Sequence, residues 1–342
     1  MFARPLGPVV GVVIALGMSA CAGTVPPVVE ETDTPKPKVV ATTAILCEMT
    51  EAIAQDTIDL TCLMDSAQDP HTYEPTPSNR QAIEAAQLIF YGGYNLEPRV
   101  EGLLAASSTP TVAVYEQAVR DPLMGHHHHD HEDHGYSHDH DHDHSHSHDH
   151  ETSSEEKEPD PHIWHSAENG GKIARVIATE LSSLVPESAT QYQEKGQAIQ
   201  DQLNQLHSWI KDQIATIPAQ QRKLVTTHDA FAYYSAAYNI PSMAVQGLST
   251  ESTPTPQRLK TIVETVRNAQ VPALFVETTT NPGSIEIVAR EANITIPEQP
   301  IFTTGAVGVA GVGLVPLYTA MLIENTRNIV QGLGGEFQEP NL

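Results

Sequence analysis

From residue 39 onward, short apolar runs and amphipathic stretches take turns along the chain. β-rich runs at Val39–Leu46, Ile58–Met64, Leu88–Tyr91 and Thr111–Tyr115 predict strands, with helices between them at Glu48–Gln55, Ser78–Ala86 and Leu96–Ala106. Ser78, directly after Pro77, is the expected N-cap of the second of these helices. Between Asp121 and Asp160 the periodicity stops, and it resumes with a helix over Ser166–Leu184. A longer helix follows over Glu187–Ile217, where Ala189, Tyr192, Ile199, Leu203, Leu206, Ile210 and Ile214 share one face and Pro186 and Pro218 mark the ends. At 1.5 Å per residue it reaches about 45 Å, more than one lobe needs, which suits a rigid connector. The alternation then repeats, with strands at Lys223–Thr227, Ser242–Gly247, Ala273–Thr278 and Asn293–Ile296. The helices of this half are predicted at Ala230–Asn239, Pro256–Asn268, Gly283–Glu291 and Leu317–Gln331.

This pattern predicts an α/β protein: two (β/α) lobes with parallel-type sheets joined by one long α-helix. The expected division is an N-terminal lobe over 39–186, a linker helix over 187–217 and a C-terminal lobe over 218–342. Ahead of the first lobe, Arg4 and the apolar run Val9–Met18 read as an export signal over residues 1–21. Met18-Ser19-Ala20-Cys21 has the form of a lipobox that would leave Cys21 as a lipidated N-terminus, and Ala20-Cys21-Ala22 also fits ordinary signal cleavage. The Pro-rich, polar residues 22–38 read as a disordered tether and favour the lipoprotein. The mature chain is then expected in the periplasm or on the outer face of the cell membrane. A second uncharged stretch, Ala306–Ile323, reaches the length of a membrane span, but Gly308, Gly311, Gly313 and Pro316 interrupt it. A Gly-rich loop leading into a buried helix is the expectation there.

Composition adds chemistry to this frame. The 342 residues carry a net charge of -25, and the 18 histidines equal Lys and Arg combined. Such acidity speaks against nucleic acid and against anionic membrane surfaces, leaving a lipid anchor as the expected membrane contact. Acid together with imidazole points to transition-metal cations. Thirteen of the histidines lie in one run: His126, His127, His128, His129, His131, His134, His138, His140, His142, His144, His146, His148 and His150. Interleaved with Asp, Glu and Ser and lacking apolar partners, this part of 121–160 is expected to be disordered and to gather ions weakly. Residues 126–158 hold eleven acids against one Lys, so the insertion supplies much of the negative charge.

Five histidines remain. His207 falls on the polar side of the long helix, where a solvated surface position is expected. His71, His162, His165 and His228 lie in loops, and His71 and His228 follow predicted strands, where α/β sheets gather ligands. His71 and His162 each follow Asp-Pro, which stiffens the backbone. Cys47 and Cys62 are fifteen residues apart, and either a disulfide or two buried small side chains is compatible with the sequence.

The segments DPHTYEPTPSN, DPHIWHSAENG, TTHDAFAYYSAAYNIP and ALFVETTTNP resemble, in order and spacing, the metal-specific solute-binding proteins of ABC importers. The His-rich acidic insertion resembles the zinc-uptake branch of that family. The resemblance implies His71 and His162 as metal ligands from the first lobe and His228 from the second, with the ion in the interlobe cleft. It places Asn281 where manganese-binding relatives have an Asp, and His228 where they have a Glu. Glu74 and Glu277 could hydrogen-bond ligand imidazoles from outside or could equally be structural carboxylates, and His165, which matches no family ligand, has a supporting place or is a bystander. The implied function is a monomeric extracytoplasmic receptor that delivers Zn²⁺ to an ABC permease in the cytoplasmic membrane, with the loop collecting or sensing zinc. The alternatives are a zinc buffer or adhesin, a manganese-binding relative, and a zinc hydrolase. The hydrolase lacks a placed base, since no HExxH or comparable motif is present.

Overall fold

The first strand shows how the chain commits itself. In the computed structural model, which describes residues 35–126, 157–251, 253–306 and 308–341, β1 (Lys38–Ala41) buries Val39, Val40 and Ala41. Successive side chains point to opposite faces, so burial of all three means that the sheet is covered on both sides, as a parallel sheet requires. β1 pairs in parallel with β2 (Asp59–Cys62) and with β3 (Leu88–Tyr91), and β3 with β4 (Thr111–Ala113), giving the order β2-β1-β3-β4. The expected signal and tether up to residue 34, with Cys21, lie outside the described residues, as do the histidines from His127 to His150.

Local chemistry corrects several predicted boundaries. The run read as strand through Leu46 turns into helix α1 (Ala44–Ala54) because the Thr43 side chain accepts from the Leu46 N–H. Its first residues are buried and apolar, so periodicity could not separate the two states. Helix α2 (Pro77–Ala85) is capped by Thr76, not Ser78: Thr76 and Asn79 form a capping box around Pro77. Helix α3 (Pro98–Ala105) starts at its proline. The strand read as far as Tyr115 ends at Ala113, and the short helix α4 (Val114–Ala118) follows. Within the stretch read as patternless, β5 (Met124–His126) and β6 (Lys157–Pro159) pair antiparallel, so the His-rich insertion leaves the body from a two-stranded stem. Cys47 of α1 and Cys62 of β2 form a disulfide with a Cα–Cα separation of 5.6 Å.

Helices α5 (Ala167–Leu184) and α6 (Ala189–Ala215) run against each other along their lengths. Gly196 permits the approach: a Cβ there would sit 2.7 Å from the Ala178 Cβ and 3.2 Å from the Ala174 carbonyl. α6 buries Tyr192, Ile199, Leu203, Leu206, Ile210 and Ile214, the apolar face read from the sequence, and leads into the second lobe. There β7 (Leu224–Thr226) pairs in parallel with β8 (Ser242–Ala244). The sheet continues only as single parallel bridges, Thr226 to Phe275, Ala273 to Thr295 and Glu277 to Ile301. The predicted strands Ala273–Thr278 and Asn293–Ile296 are thus in place but do not form full ladders. Pro272, Pro297 and Pro300, which lack the N–H a ladder needs, punctuate them. Helices α7 (Ala232–Tyr238), α8 (Pro256–Ala269), α9 (Gly283–Ala292) and α10 (Pro316–Gly332) cover this sheet and the long helix. Among the described residues no helix is long and apolar enough to cross a membrane, and α10 is the buried helix expected after the Gly-rich loop.

Residues 36–342 form one compact unit, because one apolar cluster runs through both lobes. It joins Ile45, Phe90 and Trp164 of the first lobe, Leu203 and Leu206 of α6, and Phe231, Tyr234 and Met321 of the second. The Glu48 carboxylate of α1 accepts from the N–H groups of Leu317 (2.5 Å) and Tyr318 (2.8 Å), capping the start of α10 across the lobes. His207 is not the solvated residue expected: it is half-buried, its ring 5.2 Å from that of Tyr238, and burial lowers its pKa.

One buried acid has a measurable consequence. Glu97 accepts from Thr42 Oγ1 and from the Gly92 N–H (3.0 Å), and burial pushes its pKa up to about 7. The folded chain therefore holds a proton that the unfolded chain has lost. The stabilising contribution is complete below the ordinary value near 4.5 and disappears as pH rises through about 7. Glu97→Gln is expected to remove this decline, worth on the order of 1–3 kcal/mol, in urea unfolding followed between about pH 5 and 8. Equal slopes for both proteins would show that the carboxyl is not shifted.

Candidate metal centre

Two Asp-Pro-His segments and one strand end build the site. In the loop after β2, the Asp69 side chain accepts from the His71 backbone N–H at 3.0 Å. After β6, Asp160 does the same for His162 at 2.8 Å. Both are Asx turns, so the Asp fixes the histidine backbone as firmly as the proline between them does. His228 follows β7 directly, and its N–H donates to Glu277 Oε1 at 2.8 Å.

These turns aim three imidazoles at one point. The ring centroids of His71, His162 and His228 lie 5.1, 5.8 and 5.2 Å apart pairwise, and a nitrogen of each falls within 4.8 Å of the others. Nε2 of His71 and Nε2 of His162 are 3.0 Å apart. All three rings are buried, His71 the least so at 5% exposure. Two carboxylates stand behind them: Asp160 Oδ1 lies 2.8 Å from His162 Nδ1, and Glu277 Oε2 bonds His228 Nδ1. A carboxylate on Nδ1 fixes the proton there and leaves the Nε2 lone pair for a cation.

Burial and the carboxylates behind the rings set the electrostatics of the three imidazoles. Burial, and then the charge on His228, hold His162 well below the usual histidine range. Burial lowers His228 too, but the charge and hydrogen bond of Glu277 outweigh it and its pKa is raised overall. Burial pushes Asp160 up to about 7. A divalent ion at the imidazole Nε2 atoms supplies the positive charge that reverses this last effect.

The other candidates part company here. Glu277 stands behind an imidazole as expected. Glu74 does not: it is exposed and pairs with Arg99 at 2.8 Å, and that same Arg99 binds Glu251 at 2.8 Å and the His71 carbonyl at 3.2 Å. Asn281 also stands apart from the imidazoles. It is exposed, and its Oδ1 accepts from the Gly283 N–H at 2.9 Å, as Asn does at the start of a helix. His165 lies outside the triad, fully buried between Trp164 and Phe231 with ring centroids at 5.6 and 4.3 Å. Sequence reasoning missed Asp160, whose signal was the Asp two residues before a candidate ligand, present in both Asp-Pro-His copies. It also missed Thr279, Thr303 and Thr304, which line the small void at the imidazoles.

The profile of the periplasmic zinc-uptake complex component A (ZnuA) matches residues 39–332. The manganese ABC transporter substrate-binding lipoprotein PsaA of Streptococcus pneumoniae is 33% identical over 306 residues, 87% of this chain and 89% of its own length. The metal ABC transporter substrate-binding lipoprotein ScbA of Streptococcus cristatus is 32% identical over 318 residues, 93% of this chain and 95% of its own. Among solved structures, the periplasmic zinc-binding protein TroA from Treponema pallidum superposes with a TM-score of 0.72 at 26% identity, over 87% of this chain and 99% of that one.

His165 offers a clean test of what separates a ligand from a bystander. Among the described residues neither ring nitrogen has a hydrogen-bond partner, and burial holds its pKa well below the usual range. An unsatisfied buried imidazole costs stability that a phenyl ring does not. His165→Phe is therefore expected to raise unfolding stability by about 1 kcal/mol, read by chemical denaturation, and to leave metal stoichiometry unchanged. A marked loss of either would place His165 among the working residues.

Proposed function

This chain belongs to the periplasmic zinc-uptake complex component A family, and from that premise we propose that it captures Zn²⁺ outside the cytoplasmic membrane and hands it to an ABC permease. It is a metal-binding receptor of an ABC transporter and not an enzyme, in keeping with relatives that are substrate-binding proteins. Those relatives are named as lipoproteins, which supports an extracytoplasmic chain anchored through Cys21.

The observation that carries the reading is the convergence of three buried imidazoles from both lobes on one point. Zn²⁺ takes four ligands tetrahedrally and accepts neutral imidazole readily, whereas Mn²⁺ favours oxygen-rich sites with more ligands. The relatives named for manganese share the fold and a third of the sequence, so the donor set, not the fold, supports zinc. Capture at the lobe boundary follows from the ligand origins, His71 and His162 before α6 and His228 after it. Release requires the ligand loops to move, because a core shared by both lobes resists wide opening. The stem of the His-rich insertion supports a collecting role: Glu158 and Pro159 of β6 line a cavity of about 160 Å³ together with His71. Ions gathered by that insertion are thereby concentrated beside the site.

Two measurements test this. His71→Ala, His162→Ala and His228→Ala should each abolish the single tight Zn²⁺ site in isothermal titration of the mature protein. Asp160→Asn and Glu277→Gln should weaken it by about 10–100-fold through loss of ligand orientation. Tight binding that survives all three alanine variants would move the site elsewhere. Deleting residues 127–150, which spares the stem, should lower total Zn²⁺ stoichiometry and leave the tight site intact. Loss of the tight site in that deletion would mean that the insertion supplies a ligand.

A further inference from the structure

The segment that leaves β8 runs from the neighbourhood of one imidazole to that of another. Its first part lies along the residues that carry His228: the Gln246 N–H donates to the Thr227 carbonyl at 2.8 Å, and the Asp229 N–H to the Gly247 carbonyl at 3.1 Å. Its far end crosses to the first lobe. Thr250 Oγ1 donates to Asp69 Oδ2 at 2.5 Å, while the other oxygen of that carboxylate holds the His71 N–H at 3.0 Å. Glu251 pairs with Arg99 at 2.8 Å, and Arg99 donates to the His71 carbonyl at 3.2 Å. The N–H and the carbonyl of His71 are thus each tied, through one intermediate side chain, to the same turn of the opposite lobe.

Between these two ends Leu248 packs against the stem of the insertion. A Cβ at Gly125 of β5 would fall 2.6 Å from Leu248 Cδ1, so the glycine makes the room. Leu248, Ser249 and Glu251 also form part of the wall of the cavity of about 160 Å³. His71 lines that cavity and also the void it shares with His162 and His228, so its ring is a partition between the two spaces. It is the least buried of the three, 5% exposed against 1% for His162 and 2% for His228. Displacing His71 joins void and cavity, whereas displacing either other ring breaks a buried bond to Asp160 or Glu277 as well. Thr304 Oγ1 donates to the Ser66 carbonyl at 2.8 Å, which ties the start of the His71 loop to the second lobe independently of Thr250 and Glu251.

We propose that residues 245–251 form a strap that sets how long the bound ion stays, with Thr250 and the Arg99–Glu251 pair as its clasp and His71 as the ligand the clasp holds in place. The inference rests on the reading of His71 as a ligand. Arg99 acts here as a positioning residue: its guanidinium meets Glu74, Glu251 and the His71 carbonyl at once, which a planar fork of five donors allows. One apolar cluster runs through both lobes, so the part that moves is the loop and not the lobe. The clasp consists of the fastenings that open at least cost. The Arg99–Glu251 pair is partly exposed, and such pairs are weak and screened by salt. The Thr250 bond, made to a carboxylate, is the stronger half.

Release of Zn²⁺ from the loaded mature protein into excess chelator, followed by stopped flow, reads the strap directly. Thr250→Val is expected to speed release about tenfold and Glu251→Gln about 2–5-fold, with the unfolding midpoint of the metal-free protein little changed. Thr250→Ser, which keeps the hydroxyl, should release at close to the wild-type rate. The gap between Glu251→Gln and wild type should close as ionic strength rises from about 0.02 to about 0.5 M, because salt weakens the pair in the wild type as well. Wild-type release from both Thr250→Val and Glu251→Gln, in a protein whose tight site His71→Ala abolishes, overturns the strap alone. A gap that stays the same at every ionic strength overturns the part given to the ion pair. Tight binding that survives His71→Ala overturns the reading beneath the proposal, and the strap falls with it.

Discussion

Two buried carboxylates set the terms for the rest of the molecule. Asp160 and Glu277 are 0% and 1% exposed, and among the described residues their ion pairs run to an imidazole. Burying a carboxylate costs several kcal/mol unless a positive charge and hydrogen bonds compensate it. Backbone N–H groups provide part of that compensation, from His162 to Asp160 and from His228 to Glu277. The rest must come through the ring: a proton on the imidazole, or a cation on its far nitrogen. A divalent ion at the imidazoles would supply such a charge to both carboxylates, which stand on opposite sides of the lobe boundary.

That arrangement works only if the two half-sites keep their spacing. An ion held by His71 and His162 from one lobe and His228 from the other would tolerate shifts of only tenths of an ångström, and a flexible hinge would not provide that. The chain meets the requirement with one continuous apolar cluster through both lobes and with α6, whose buried face packs along α5. Glu48 adds a polar clamp by capping α10 from the opposite lobe. The loop that carries His71 is held differently, by surface pairs of Arg99 with Glu74 and Glu251 and by the Thr250 to Asp69 bond. Exposed ion pairs contribute little individually. The rigid parts thus fix the geometry, and the weakest fastenings surround the least buried of the three imidazoles.

Much of this was legible in the sequence, and the reasons for success and failure are physical. The long helix was readable because Tyr192, Ile199, Leu203, Leu206, Ile210 and Ile214 repeat at helical spacing over more than six turns. His71 and His162 stood out because each follows Asp-Pro, and the resemblance to the metal-binding family added His228. What stayed hidden depends on contacts between distant residues. His207 looks solvated on a helical projection, yet Tyr238 covers it. Thr279 and Thr303 meet only because Glu277 bridges to Ile301, which lines up two segments whose strand character is otherwise slight. Asn281 stands apart from the imidazoles for the opposite reason, its side chain being engaged locally by the Gly283 N–H. Thr43 ended a strand prematurely by capping, a one-atom effect beneath the reach of periodicity.

The relation to manganese-binding relatives sharpens what the fold does and does not decide. The chain is 33% identical to a protein named for manganese and superposes on one named for zinc, so the fold alone does not decide between the two metals. The scaffold provides two strand-end loops and an Asx turn on each Asp-Pro-His segment, which bring ligands from two lobes together. None of these features distinguishes one divalent ion from another. Discrimination falls to the donor atoms at the convergence point, where three imidazoles stand together. An imidazole donor in place of a carboxylate lacks the negative charge and the oxygen, and both losses weigh more on a hard, six-coordinate ion than on a four-coordinate one. Metal choice in this architecture is then a property of very few side chains, which can change while the core, the linker helix and the carboxylates behind the imidazoles stay as they are.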